Sequence, residues 1–265
     1  MDDVLKAELR DCAHAMADAA RAAILPLFRS ADLSADNKDA AGFDPVTQAD
    51  RAAERAMRAV LAERRPEDGI EGEEEANVTS KSGLTWVLDP IDGTRAFLAG
   101  TPSWGVLIGL NDGGAPFFGM IDQPYIEERF VGGLGRAELK KGGFSRPLAT
   151  RATSALSEAI VMTTFPEVGT EEEGAAFARV ARQARLVRYG LDCYAYGLVA
   201  LGTVDLVIEA GLQPYDIQGP MAVVEAAGGI VTDWQGGPAH RGGRVIAAAN
   251  REVHAAAMEV LNAAG

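Results

Sequence analysis

The run VLDPIDGTRAF, Val87 to Phe97, restricts this chain more than any other stretch. Asp89 follows the apolar Trp86-Val87-Leu88, so it enters at the inner end of a buried strand, where an unpaired carboxylate is costly unless neutralised or bound to a cation. Pro90 withholds a ladder donor and turns the chain. Asp89 and Asp92 can then converge, whereas a straight strand would point residues three apart to opposite faces. Behind them, Gly93 and Thr94 offer free backbone N–H groups at a helix start, a position that attracts phosphate. Carboxylates alone would repel that phosphate. Divalent cations between acids and anion remove the conflict, and hard oxygen donors with no histidine or cysteine nearby favour Mg²⁺ over zinc. In isolation Asp-Pro-x-Asp-Gly is an ordinary surface turn; the apolar run ahead of it argues for the buried reading.

At 265 residues and 48% hydrophobic content the chain can bury a large core. A formal net charge of −13 without any Lys/Arg run argues against a face built for nucleic-acid phosphates or an anionic membrane. Cys12 and Cys193 are the two cysteines, neither a disulfide framework nor a CxxC pair, which fits a reducing cytoplasm. The acidic start MDDVLKAELRD is unlike a secretory signal, and no apolar stretch is long enough to span a bilayer, so a cytoplasmic location is expected.

Leu5, Leu9, Cys12, Met16, Ala20, Ala23 and Leu27 recur at helical spacing and predict one long amphipathic helix. A polar loop is expected over 30–45. At VTQAD a second helix begins, with Thr47 and Asp50 spaced as a capping box and Ala53, Met57, Val60 and Leu61 as its buried stripe. From Thr85 to Leu139, short β-rich runs punctuated by Gly and Pro predict an antiparallel sheet; beyond Ser154, strands alternate with helices. The expected division is an α+β metal-binding half over 1–148 and an α/β half over 149–265, together one catalytic unit. His14, His240 and His254 sit in a helix, a Gly/Pro loop and the terminal helix, and are read as structural or surface residues rather than a catalytic base.

VTQAD at Val46 to Asp50, GEE at Gly72 to Glu74, DPIDGT at Asp89 to Thr94 and YDIQGPMAVVEAAGG at Tyr215 to Gly229 together resemble the ordered signature of the inositol monophosphatase superfamily of Mg²⁺-dependent phosphatases. The resemblance covers nearly the whole chain. It implies the layered αβαβα sugar-phosphatase fold, two or three Mg²⁺ ions, a phosphate monoester as substrate and a homodimer. It also implies metal ligation by Glu73, Asp89, the Ile91 carbonyl, Asp92 and Asp216, with Asp89 as the shared ligand. Asp50 and Thr94, with Glu73, would orient and activate the attacking water, and the Gly93 and Thr94 amides would hold the phosphate. The chain departs from the pattern at Tyr215 and Gln218-Gly219, where relatives often carry a tryptophan and an Ala-Ala pair.

Three features are closest to the histidinol-phosphatase branch: Arg95 in DGTRAF, the run IDQPYIEERF, and RYGLDCYAYGLVALGTVDLVIEAGLQPYD. L-Histidinol phosphate carries an ammonium and an imidazole, so its pocket should present carboxylates. Asp192 and Glu209 are the candidates. Asp192 reads equally as the N-cap of the helix behind it, and Arg95 either as a phosphate contact or as the partner of a nearby acid. The alternatives are an inositol or other sugar monophosphatase and, in a different class, a binding partner of the transcription machinery.

Overall fold

A computed structural model describes residues 1–31, 35–37 and 45–263, so most of the polar loop expected over 30–45 lies outside the described residues. α1 (Asp3–Ile24) is capped by Asp2, whose carboxylate accepts from the Leu5 N–H at 2.8 Å, and it buries Leu9, Cys12, Met16 and Ala20 as its periodicity predicts. Ala35–Asn37 (β1) and Pro45–Thr47 (β2) form a two-stranded antiparallel ribbon. α2 (Gln48–Arg64) opens on the anticipated Thr47–Asp50 capping box and buries Ala53, Met57 and Leu61. It packs against α1.

A seven-stranded sheet follows in simple order: β3 (Gly69–Gly72), β4 (Thr85–Asp92), β5 (Gly105–Asn111), β6 (Phe118–Gln123), β7 (Glu128–Gly133), β8 (Arg136–Lys141) and β9 (Phe144–Pro147), with the short α3 (Thr94–Ala99) between β4 and β5. β3 runs parallel to β4, and every other neighbouring pair is antiparallel. Sequence periodicity does not show β3 or β9. β3 is four residues with one acid and two glycines, and β9 is an edge strand exposed at every position, so neither carries an apolar alternation.

The carboxy-terminal sheet has the order β11-β10-β12-β14-β13, built from β10 (Ile160–Thr163), β11 (Leu186–Tyr189), β12 (Leu206–Leu212), β13 (Ile230–Asp233) and β14 (Gly243–Ala248). Its helices are α4 (Glu171–Ala181), α5 (Tyr194–Ala200), α6 (Pro214–Ala226) and α7 (Arg251–Leu261). β10 is parallel to β11 and β12, whereas β14 runs antiparallel to both its neighbours.

Strand alternation sorts the side chains into three cores. Val106, Ile108 and Met120 face α1 and α2; Leu107 and Ile121 face the opposite way, towards α5, α6 and Val207, Val245 and Ala247 of the second sheet. Leu206, Ile208, Ile246 and Ala248 face outward to α4 and α7. The layers are therefore αβαβα.

The central layer is unusually close. Gly109, Gly119 and Gly132 lie opposite one another across β5, β6 and β7, and α6 rests directly on this glycine row. A Cβ on Gly119 would fall 2.1 Å from the Gly219 carbonyl oxygen, and one on Gly132 would fall 2.4 Å from Val223 Cα. Gly119→Ala is expected to destabilise the fold by about 1–3 kcal/mol, because backbone rather than a flexible side chain must move. Thermal or urea melts test this, and an unchanged midpoint would show that α6 can lift without cost.

Candidate active site

Parity is the local problem at Asp89 and Asp92, and a bulge solves it. Asp89 pairs with Leu107 and Asp92 with Gly105, so β4 spends three residues where β5 spends two. Both carboxylates then face one side, and the Asp89 carboxylate accepts from the Ile91 N–H at 3.0 Å. Asp216 arrives from the first turn of α6, where it also accepts from the Gln213 N–H at 2.7 Å. One oxygen from each of Asp89, Asp92 and Asp216 lies within 4.8 Å of the others.

Glu73 completes the cluster within hydrogen-bonding reach of Asp89. Its N–H donates to the Leu88 carbonyl at 3.2 Å, which ties the GEE loop to β4. The loop is clamped from behind by Glu54, a fully buried residue that the sequence reading did not single out. Glu54 accepts from the N–H groups of Glu74 at 2.8 Å and Glu75 at 3.2 Å, and pairs with Arg58 at 2.7 Å. Gly72 leaves room for this clamp, since a Cβ would meet Glu54 Oε1 at 2.2 Å and Arg58 Nη2 at 2.7 Å and push the pair aside. The only sequence signal for Glu54 is an acid inside the apolar stripe of α2.

Burial, then the charges of Glu73, Asp92 and Asp216, push the Asp89 carboxyl well above its ordinary range. Asp92 is pushed up in the same way by burial and by Asp192 and Asp216, partly offset by the Cys193 N–H donating to it at 2.6 Å. Buried acids packed so closely with oxygen donors alone are chemically matched to a hard divalent cation, whose charge would offset both the desolvation and the repulsion.

The remaining predicted residues surround this cluster. Gly93, at φ 83, is the N-cap of α3; the Thr94 hydroxyl donates to the Ile91 carbonyl at 3.2 Å. α3 lies against β2, at the end of α2 where buried Asp50 accepts from the N–H and hydroxyl of Thr47. Asp192 does not cap α5: the helix begins at Tyr194 with Cys193 as an N-cap that makes no side-chain capping bond, and Asp192 itself is left-handed at φ 46. That conformation turns its carboxylate back over Gly93, where a Cβ would stand 2.8 Å from Asp192 Cγ. Burial raises the Asp192 pKa to about 6 against the opposing effects of the Ser103 hydroxyl and Arg95. Arg95 faces this acid and also stacks over the Phe165 ring at 5.1 Å.

Glu209 sits near the carboxyl end of β12 and accepts from the Thr164 N–H at 2.7 Å, the Thr164 hydroxyl at 3.0 Å and the Thr163 hydroxyl at 3.1 Å. Burial pushes it up to about 7, with these donors opposing. Thr163 and Thr164 were not anticipated; their signal is position, since ligands of parallel sheets gather at the carboxyl ends of strands. At the departures from the family pattern, Gln218 accepts from Asn111 at 2.8 Å and donates to the His240 carbonyl at 3.2 Å, while Gly219 provides the close approach to the glycine row. Neither disturbs the acid cluster. The three histidines lie elsewhere: His14 between Arg129 and Lys140, His254 on Thr232, and His240 in the loop beside Gln218.

Residues 5–265 match the sequence profile of the Inositol monophosphatase family. The bifunctional phosphatase IMPL2, chloroplastic, of Arabidopsis thaliana is 39% identical over 259 residues, covering 94% of this chain and 73% of that protein. A histidinol-phosphatase of Mycobacterium tuberculosis is 33% identical over 255 residues, covering 94% and 96%. A solved structure of an inositol monophosphatase from Zymomonas mobilis superposes with a TM-score of 0.83 at 42% identity, covering 96% of this chain and 97% of that one. A buried carboxylate cluster at a strand bulge, the αβαβα layers and a sequence match across almost the whole length agree: the chain belongs to the inositol monophosphatase family of metal-dependent phosphoric monoester hydrolases.

Proposed function

We propose that this phosphatase hydrolyses L-histidinol phosphate with Mg²⁺ held by Glu73, Asp89, the Ile91 carbonyl, Asp92 and Asp216. The observation that carries the reading is the pocket next to the acid cluster. Beyond Asp92 and Asp216 it is lined by two further carboxylates, Asp192 and Glu209, and, among the described residues, by no lysine or arginine. A neutral polyol would leave Glu209 desolvated with only the Thr163 and Thr164 donors, and Asp192 balanced by Arg95 alone, whereas an ester bearing an ammonium and an imidazole offers both acids further counter-charge. The histidinol-phosphatase name of the mycobacterial relative supports the same substrate. A divalent cation held there would supply charge stabilisation for the phosphate oxygens and the leaving alkoxide and would lower the pKa of the attacking water. Thr94 and Asp50 position that water, the Gly93 and Thr94 amides orient the phosphate, and Glu209 and Asp192 hold the organic part so that the ester bond lies in line.

With purified protein, kcat/KM for L-histidinol phosphate is expected to exceed that for inositol 1-phosphate by about two to four orders of magnitude, since each charge-assisted bond contributes roughly 1.5 to 3 kcal/mol. Equal values, or a preference for inositol, would return the pocket to sugar hydroxyls.

A further inference from the structure

One polar atom in this pocket has no role in the reaction described so far. Tyr196 is 3% exposed, and its hydroxyl has no hydrogen-bond partner among the described residues. Buried phenols ordinarily find one, and an orphan inside a functional pocket calls for an explanation. The side chain comes from α5 and is surrounded by the charges of Glu209, Asp92 and Asp216. With those acids, Asp192 and Thr164, it lines a recess of about 20 Å³. That is space for a single water-sized group. An imidazole ring is too large for it; an ammonium or a hydroxyl fits.

Charge separates these two occupants. With Asp92 and Asp216 assigned to the cation, the charges of Asp192 and Glu209 on the wall are what a hydroxyl does not correct and an ammonium does. An ammonium also has three donors to place. Glu209 and Asp192 can take two, and a lone pair of Tyr196 Oη, which no described protein donor occupies, can take the third. We infer that Tyr196 is a specificity-determining residue whose hydroxyl, with Asp192 and Glu209, receives a primary ammonium group of the substrate in this recess. The inference rests on the proposed cationic substrate and adds to it the site of one of its two charged groups.

The test compares Tyr196→Phe with wild type on L-histidinol phosphate and on its des-amino analogue, 3-(imidazol-4-yl)propyl phosphate, with inositol 1-phosphate as a reference. Wild type is expected to favour the amine-bearing ester over the analogue. Tyr196→Phe is expected to reduce that ratio about tenfold, mainly through KM. The melting temperature should be no lower than wild type, because the hydroxyl removed has no protein partner. The Mg²⁺ activation midpoint should not move. If wild type prefers the amine and the variant keeps the full ratio, the role of Tyr196 is overturned while the substrate reading stands. Equal losses on both esters, with a shifted Mg²⁺ midpoint or a lower melting temperature, would make Tyr196 a support of the acid cluster and overturn the inference. A wild type that treats the two imidazole esters alike removes the ammonium site, and one that prefers inositol 1-phosphate to both removes the substrate reading itself.

Discussion

Asp89→Asn is expected to lower kcat for phosphate-ester hydrolysis by at least about a thousandfold, which is ~4 kcal/mol of transition-state stabilisation. The asparagine keeps the shape of the side chain and can still accept from the Ile91 N–H, but it removes the charge from the proposed shared metal ligand. The same substitution should act on stability in the opposite sense. Without a cation, Asp89 is held well above its ordinary pKa by burial and by Glu73, Asp92 and Asp216. The folded chain therefore binds a proton that the unfolded chain has lost, and wild-type stability should fall as pH rises from the ordinary carboxylate range near 4 towards neutrality. In chelator at neutral pH the variant should melt at or above wild type. Mg²⁺ should raise the wild-type midpoint and leave that of the variant nearly unmoved. Activity assays and melts with and without Mg²⁺ check both halves. Near-normal turnover in the variant, or in wild type under excess chelator, would defeat the metal assignment.

Glu209→Gln carries the second large effect. The glutamine carbonyl can still accept from the Thr164 N–H and hydroxyl, and the Thr163 hydroxyl can rotate to receive its amide, so the strand ends should stay in place. What disappears is the negative charge facing the organic part of the substrate. The ratio of kcat/KM for L-histidinol phosphate to that for inositol 1-phosphate should fall by about one to two orders of magnitude, matching one charge-assisted bond of roughly 1.5 to 3 kcal/mol. Steady-state kinetics on both esters measures it. An unchanged ratio would mean that Glu209 serves only to join β10 to β12.

Much of the molecule is legible in its sequence, because the signals involved are local. The helical stripe from Leu9 to Ala20, the Thr47–Asp50 capping box and the apolar β-rich runs of β5 and β12 depend on neighbours a few residues away, and each reappears in the structure. The spacing of Asp89, Asp92 and Gly93 likewise announced paired acids ahead of a helix start, since Pro90 and Gly93 act on their own backbone. Short or edge strands such as β3 and β9 escaped, having no apolar face of their own to reveal them.

What only the tertiary structure decided are relations between segments distant in the chain. Asp216, in the later half of the sequence, joins Asp89 and Asp92 because α6 can lie on the row of Gly109, Gly119 and Gly132, a row that exists only once β5, β6 and β7 are in register. Glu54 clamps the loop of Glu73 from a helix about 20 residues upstream, and nothing in either segment alone specifies the pairing. Asp192 reads equally as a helix cap and as a substrate contact until its left-handed backbone turns it over Gly93, and nothing in the sequence marks Tyr196, whose buried hydroxyl is left without a partner among the described residues. Periodicity and caps are encoded by near neighbours and survive in one dimension. Contacts across the sheet, and the cost of a buried charge or an orphan hydroxyl, exist only after the segments have met.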